Sequence, residues 1–238
     1  MPCNLYGKLP TKRDFVALGA PRDFLNAWEP WLQGGVSASQ ATLGERWQKA
    51  FLRAPIWRFW LGADLCGAST IGAFMPSLDK VGRYFPLTLF ACADRGATIP
   101  PPEIDAQDTW FKSVEDFLIS TLDPETTFET AVNNLGQLAM PVQIELPRKS
   151  AADVLVHHAA TAVDQDDAKP FVELFGSLRQ ADHEKIYSGT TCWWTVGGEE
   201  FSPAAFCAKR MPDPFLFAAM LTGQFETGPA REELAKWT

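Results

Sequence analysis

The sequence predicts a mixed α/β protein of the α+β type, with a central, mainly antiparallel sheet flanked by amphipathic helices. Residues 56–62 (IWRFWLG), 69–77 (STIGAFMPS) and 84–93 (YFPLTLFACA) are rich in aromatic and β-branched residues. Short Gly- or Asp-containing turns join them, as expected of antiparallel neighbours in a meander. Segments with helical apolar spacing lie on both sides of this block. The 238 residues are 46% hydrophobic and 21% charged, with 9 Trp and 17 Phe, enough to fill a packed core and exclude a disordered chain. One domain over residues 1–238 is expected.

Residues 3–9 read as a short strand broken by Gly7 and closed by Pro10, followed by the polar loop PTKRD. From Pro21 a helix carries Phe24, Leu25, Trp28, Trp31 and Leu32 on one face, and the Gly34-Gly35 pair is expected to end it. A second helix is expected over 42–53. After the proline cluster at 99–103, residues 105–122 form a helix with Trp110, Val114, Phe117 and Leu118 on one face and Lys112, Glu115 and Asp116 away from it. A further helix is expected over 124–134, with Asp123 as N-cap, Pro124 in the first position and Gly136 as its stop. Residues 137–185 give a weak signal: DVLVHHAATAV reads equally as strand or helix, and VDQDDAKP as an acidic loop. Residues 188–198 are expected to form a strand, 213–221 a helix closed at Gly223, and the tail beyond it to be loose.

Charge and cysteine content narrow the function. The net charge of -8 argues against a general nucleic-acid binder, which must neutralise phosphates. Residues 1–100 hold 11 Lys and Arg against 7 Asp and Glu, whereas residues 101–238 hold 10 against 22. That split fits either a polarised surface that steers a protein partner or two differently solvated faces. Five scattered cysteines, none in a CxxC pair, fit reduced, buried thiols in a cytoplasmic protein. Neither an export signal nor an apolar run of membrane-spanning length is seen, so a soluble protein without membrane insertion is expected.

No phosphate-binding loop, dinucleotide fingerprint, nucleophile elbow, HExxH helix or kinase signature occurs. A non-enzymatic protein is expected, with no metal, nucleotide or redox cofactor and no small-molecule substrate. His157 and His158 are adjacent and would face opposite sides of a strand, a poor arrangement for joint ligation, and His183 lies in the same acidic region.

The candidate binding or loop-bracing residues are Lys8, Lys12, Arg13, Asp14, Asp79, Arg83 and Trp194. Asp79 and Arg83 sit in a turn between two core-like strands. There the carboxylate is expected to accept backbone N–H bonds and Arg83 to brace the loop, a contribution of roughly 1.5–3 kcal/mol for a buried guanidinium; a partner-facing role is the alternative. Lys12, Arg13 and Asp14 follow a proline in a polar run, which reads either as a solvated loop or, the favoured outcome, as part of an interface. Trp193 and Trp194 must point to opposite faces of a strand, one into the core and one outward or under a helix. A hydrolase or phosphate-handling enzyme with a cleft formed by Lys8, Lys12, Arg13, Asp79 and Arg83 is the rival reading, but no nucleophile–base pair can be nominated for it.

The runs YGKLPTKRDF (6–15), RDFLNAWEPWLQGGVSAS (22–39), APIWRFWL (54–61) and GAFMPSLDKVGRYFPLTL (72–89) resemble, in order, the amino-terminal signature of the TagF (ImpM) family. TCWWTVGG (191–198) and RMPDPFLFAAMLTG (210–223) are similar to that family's closing segments. The resemblance covers residues 1–95 and 188–223. Arg13 replaces a Gly usual before the Asp-Phe pair, and Arg210-Met211-Pro212 stands where the family has a Gly-Leu-Pro-like segment. Without that Gly, residue 13 must have either an ordinary backbone or a shifted turn. The resemblance implies an accessory protein of a bacterial type VI secretion system and a post-translational repressor of secretion. The implied partner is the system's forkhead-associated scaffold protein, held by sequestration; an apparatus-assembly factor is the alternative. Some relatives are fused to a protein phosphatase domain, but this chain lacks that domain's Asp/Gly metal-binding motifs.

Overall fold

The computed structural model describes residues 3–145, 187–198 and 200–225. Seven strands form one sheet in the order β2-β1-β5-β4-β3-β8-β9, and every pair is antiparallel. The strands are β1 (Asn4–Gly7), β2 (Val16–Leu18), β3 (Trp57–Leu61), β4 (Thr70–Met75), β5 (Leu87–Cys92), β8 (Thr190–Thr195) and β9 (Ala204–Lys209). The expected meander is β3, β4 and β5, and its register pairs Phe59 with Gly72 and Gly72 with Phe90. A separate two-stranded ribbon pairs β6 (Ala97–Thr98) with β7 (Ile144–Glu145).

Side-chain alternation divides the core into two layers, one on each face of the sheet. Trp57, Phe59, Leu61, Phe74, Phe90 and Trp193 point to one face and meet α1 (Arg22–Leu43), α2 (Trp47–Arg53) and, near the carboxy terminus, α6 (Leu216–Thr222). Trp60, Ile71, Leu87, Leu89 and Cys192 point to the other and meet α4 (Asp108–Ser120) and α5 (Phe128–Gln137). A short α3 (Ala63–Cys66) follows β3 and packs on α1. Trp28 is wholly buried between Phe24, Phe59 and Trp193, and its indole N–H donates to Thr88 Oγ1 at 3.1 Å. Other indoles donate similarly: Trp57 to the Met220 carbonyl (2.9 Å) and Trp60 to the Ile99 carbonyl (3.0 Å). Each of these indole N–H groups thus finds a protein acceptor inside the apolar core.

Several expected boundaries are corrected. Gly34-Gly35 does not end the first helix, which runs on to Leu43 and closes at Gly44 (φ 53). A Cβ on Gly35 would lie 2.8 Å from Phe217 Cγ, so the glycine seats α6 on α1. The expected helix over 42–53 is instead broken at Gly44, where a 3₁₀ turn, Gly44–Arg46, precedes α2. The helix expected from 124 starts at Phe128, capped by Thr127, whose hydroxyl accepts from Thr130 N. Asp123 holds the preceding turn by accepting from Glu125 N at 2.9 Å, and Gly136 lies inside α5. Strands β2 and β9 were not expected; β9 is an edge strand after Pro203 whose residues alternate between more buried and exposed. Cys207 is exposed and Cys92 half-buried, so burial holds for only part of the free cysteine set. The expectations for residues 146–185, including His157, His158 and His183, and for the tail from 226 onward lie outside the described residues.

Candidate functional site

The loop after β1 and the turn between β4 and β5 cross at one end of the sheet, and the buried carboxylate of Asp79 joins them. Its side chain has 0% exposure and accepts from four donors. Oδ2 receives Lys8 Nζ at 2.7 Å and Arg83 Nε at 2.6 Å; Oδ1 receives the backbone N–H groups of Val81 (3.0 Å) and Arg83 (2.9 Å). Burial alone would raise this carboxyl, but the Lys8 ammonium and the Arg83 and Val81 donors outweigh it and hold it well below the usual carboxylate range.

The sequence builds this arrangement locally. Residues 79–83 form a tight turn, with Gly82 N donating to the Asp79 carbonyl and Asp79 N to the Arg83 carbonyl; Gly82 adopts φ +84. Ser77 Oγ donates to the Lys8 carbonyl at 2.8 Å, Lys80 N to the Lys12 carbonyl at 2.9 Å, and Arg83 Nη2 to the Arg13 carbonyl at 2.6 Å. Two loops far apart in sequence are thereby fixed as one unit.

The candidate residues divide into interior and surface groups. Lys8 is buried beneath the loops, 5.2 Å from the centroid of the Phe15 ring, so it cannot act as a surface cation. Lys12 is half-buried with Nζ 3.9 Å from the Phe128 ring centroid, which ties its loop to α5. Arg13 and Asp14 are exposed. Residue 13 has no positive φ, whereas Arg210 carries one (φ 63), as does Gln107 (φ 55). Of the two places where glycine is missing, the left-handed backbone therefore occurs at 210 and not at 13. Arg83 bonds Asp79 and the Arg13 carbonyl, but its side chain is 61% exposed, so the contribution reckoned for a buried guanidinium does not apply to it. Trp194 lies across the sheet, half-buried beside α4, with its ring centroid 5.1 Å from that of Phe111; it is remote from the loop cluster.

Two exposed apolar residues, Phe15 (49%) and Val81 (54%), complete the outer surface of these loops. Phe15 packs edge-on to Phe85 at 4.8 Å and stacks on Tyr6 at 6.2 Å, so its position is set from below. Arg13, Lys80 and Arg83 are exposed on the same two loops, with Asp14 as the one exposed acid among them. Asp79 itself is unsuited to proton abstraction: it is a weak base, buried and already engaged by four donors.

Sequence reasoning missed a second ionic centre, between β3 and α4. Arg58 of β3 is buried, with Nε 2.6 Å from Glu115 Oε1, Nη1 3.5 Å from Asp108 Oδ1, and its guanidinium 4.8 Å from the Phe111 ring centroid. A charge inside an otherwise apolar strand was the available signal. Among the described residues, no group of three or more His, Cys, Asp or Glu side chains is arranged to hold a metal, and no helix is long and apolar enough to cross a membrane.

Fold and site together define an α+β domain whose buried polar centre positions loops. The model of the TagF N-terminal domain, described as type VI secretion system-associated, matches residues 4–138. The chain is also similar to the crystal structure of PA0076 from Pseudomonas aeruginosa PAO1, with 31% identity, a TM-score of 0.75, and coverage of 95% of this chain and 97% of that one. No curated protein matches. The chain belongs to the TagF family of type VI secretion system-associated proteins.

Proposed function

We propose that this chain is a cytoplasmic accessory protein and post-translational repressor of a type VI secretion system, acting by protein binding and not by catalysis. It sequesters the system's forkhead-associated scaffold protein through the surface formed by loops 11–15 and 79–83. The observation that carries this reading is that exposed Phe15 and Val81, with the exposed cations Arg13, Lys80 and Arg83, sit on two loops that the buried Lys8–Asp79 pair joins. An aromatic anchor with a charged rim is the usual anatomy of a protein interface. A preorganised loop pair also loses little entropy on binding. Repression requires only that the chain bind the scaffold's inactive state more tightly than its active state.

The test is deletion and complementation in the native host. A repressor's loss raises secretion, and Arg13→Glu combined with Lys80→Glu fails to restore repression although the protein accumulates normally. Secretion that falls on deletion rejects the repressor reading in favour of an assembly factor.

A further inference from the structure

At the far edge of the sheet from the loop cluster, Cys192 of β8 and Cys207 of β9 are directly opposed in the antiparallel register. Arg210 N donates to the carbonyl of Gly189, its opposite residue, at 2.7 Å, which marks 189 and 210 as a hydrogen-bonded pair. Such pairs alternate with non-hydrogen-bonded ones along an antiparallel ladder, so 192 and 207 occupy a non-hydrogen-bonded position. Opposed Cα atoms there lie about 4.5 Å apart, within the span that a disulfide bridges. The Sγ atoms are already 3.1 Å from each other, and covalent bonding requires them to close by about 1 Å.

We propose that Cys192 and Cys207 form a reversible oxidation site, in which a peroxide converts the two thiols to a cross-strand disulfide that fastens β9 to β8. The two positions have complementary environments. Cys207 is exposed on the edge strand, where an oxidant can reach it, whereas Cys192 is buried in the layer containing Trp60 and Tyr187. The hydrogen bond with Cys192 draws the Cys207 thiol down to about 7, against its own partial burial and the nearby Glu103 carboxylate. The same contact with Cys207, together with burial, pushes the Cys192 thiol upward. Cys207 is thus the attacking thiolate and Cys192 the resolving thiol.

The chemistry balances with hydrogen peroxide as oxidant. The Cys207 thiolate attacks one peroxide oxygen, the O–O bond breaks, and Cys207 sulfenic acid and hydroxide are formed. Hydroxide takes up the proton lost from Cys207 to give water. Cys192 then attacks Cys207 Sγ, forming the S–S bond and releasing the sulfenic oxygen as a second water. Two thiols lose two electrons and peroxide gains them. Cys3 and Cys66 are buried, and the thiols of both and of Cys92 are raised chiefly by burial, so they are poor competitors.

The test uses the full chain, treated with equimolar hydrogen peroxide at neutral pH, then denatured and alkylated. Both cysteines fall on one tryptic peptide, residues 186–209. The expected result is that alkylatable thiols fall from five to three, this peptide appears unalkylated and two hydrogens lighter, and dithiothreitol restores both thiols. The folded Cys207→Ser variant should keep all four of its thiols under the same treatment, and Cys192→Ser should yield a sulfenic acid at Cys207 that dimedone captures. Five surviving thiols, or Cys207 oxidised to sulfinic acid or joined to a second chain while Cys192 is still alkylated, would overturn the proposal.

Discussion

Lys8 Nζ and Asp79 Oδ2 lie 2.7 Å apart, with side chains 7% and 0% exposed, and this buried pair joins the loop after β1 to the β4–β5 turn. Removing Lys8 leaves the buried Asp79 carboxylate with only the largely exposed Arg83 guanidinium and two backbone donors, and losing one partner of a buried pair is among the more damaging single changes a fold can suffer. Lys8→Met is therefore expected to lower Tm by roughly 6 °C or more and to loosen both loops together. Differential scanning calorimetry, with amide exchange at 11–15 and 79–83, checks this; an unchanged Tm would show that the pair contributes nothing net.

The same carboxylate sets an acid limit. Because Asp79 titrates below the usual range when folded, protons bind preferentially to the unfolded chain. Its contribution is complete above the unfolded carboxyl value of about 3.9 and declines as pH falls from there through the folded value. The difference in Tm between the native protein and Asp79→Asn should be large at pH 6 and shrink below about pH 3.9. A gap that stays constant down to pH 2 would remove this carboxylate from the acid transition.

Arg83 should behave differently, because a guanidinium 61% exposed is screened by water. Arg83→Ala is expected to cost only about 0.2–1 kcal/mol of stability, against the 1.5–3 expected of a buried brace. Urea unfolding decides between these values, and a loss above about 1.5 kcal/mol would show that Arg83 contributes as a buried guanidinium does despite its exposure.

The Asp79–Arg83 turn was legible because polar residues interrupt two apolar strands, and a turn Asp has a known local use. Lys8 was not legible as the partner, since it lies 71 positions away and nothing local specifies the pairing. Arg58 stood out as a charge inside an apolar strand, but its partner Glu115, 57 positions on, was not legible for the same reason. The meander and the opposed faces of Trp193 and Trp194 follow from period-two alternation and hold in the structure. Strand β9 was missed because an edge strand of small residues lacks a strong apolar pattern. Gly34-Gly35 resembled a helix stop until the seat for Phe217 and Pro214 could be seen.

Glycine positions give an opposed pair of predictions. Gly35→Ala should destabilise by about 1–3 kcal/mol despite alanine's higher helix propensity, because the new Cβ meets Phe217 Cγ at 2.8 Å. Gly136→Ala, inside α5 with nothing within 4 Å, should stabilise by about 0.5–1 kcal/mol. Paired chemical denaturation measures both, and equal signs would refute the packing explanation.

Arg210 carries the left-handed backbone (φ 63) where the resemblance places a glycine. Replacement by glycine removes a Cβ penalty of roughly 1–2 kcal/mol, partly offset by the freedom glycine adds to the unfolded chain. Arg210→Gly should raise Tm slightly and Arg210→Val should lower it, as read by thermal melts; a lower Tm for the glycine variant would contradict the strain argument.

The proposal that the crossed loops are a docking surface is tested most directly by titrating the purified forkhead-associated scaffold protein of the same secretion system with this chain in a calorimeter. The account predicts saturable binding that weakens with added salt, and at least about tenfold loss of affinity for Arg13→Glu combined with Lys80→Glu at unchanged Tm. Absence of binding by the folded native chain, or full affinity in the folded double variant, would contradict it.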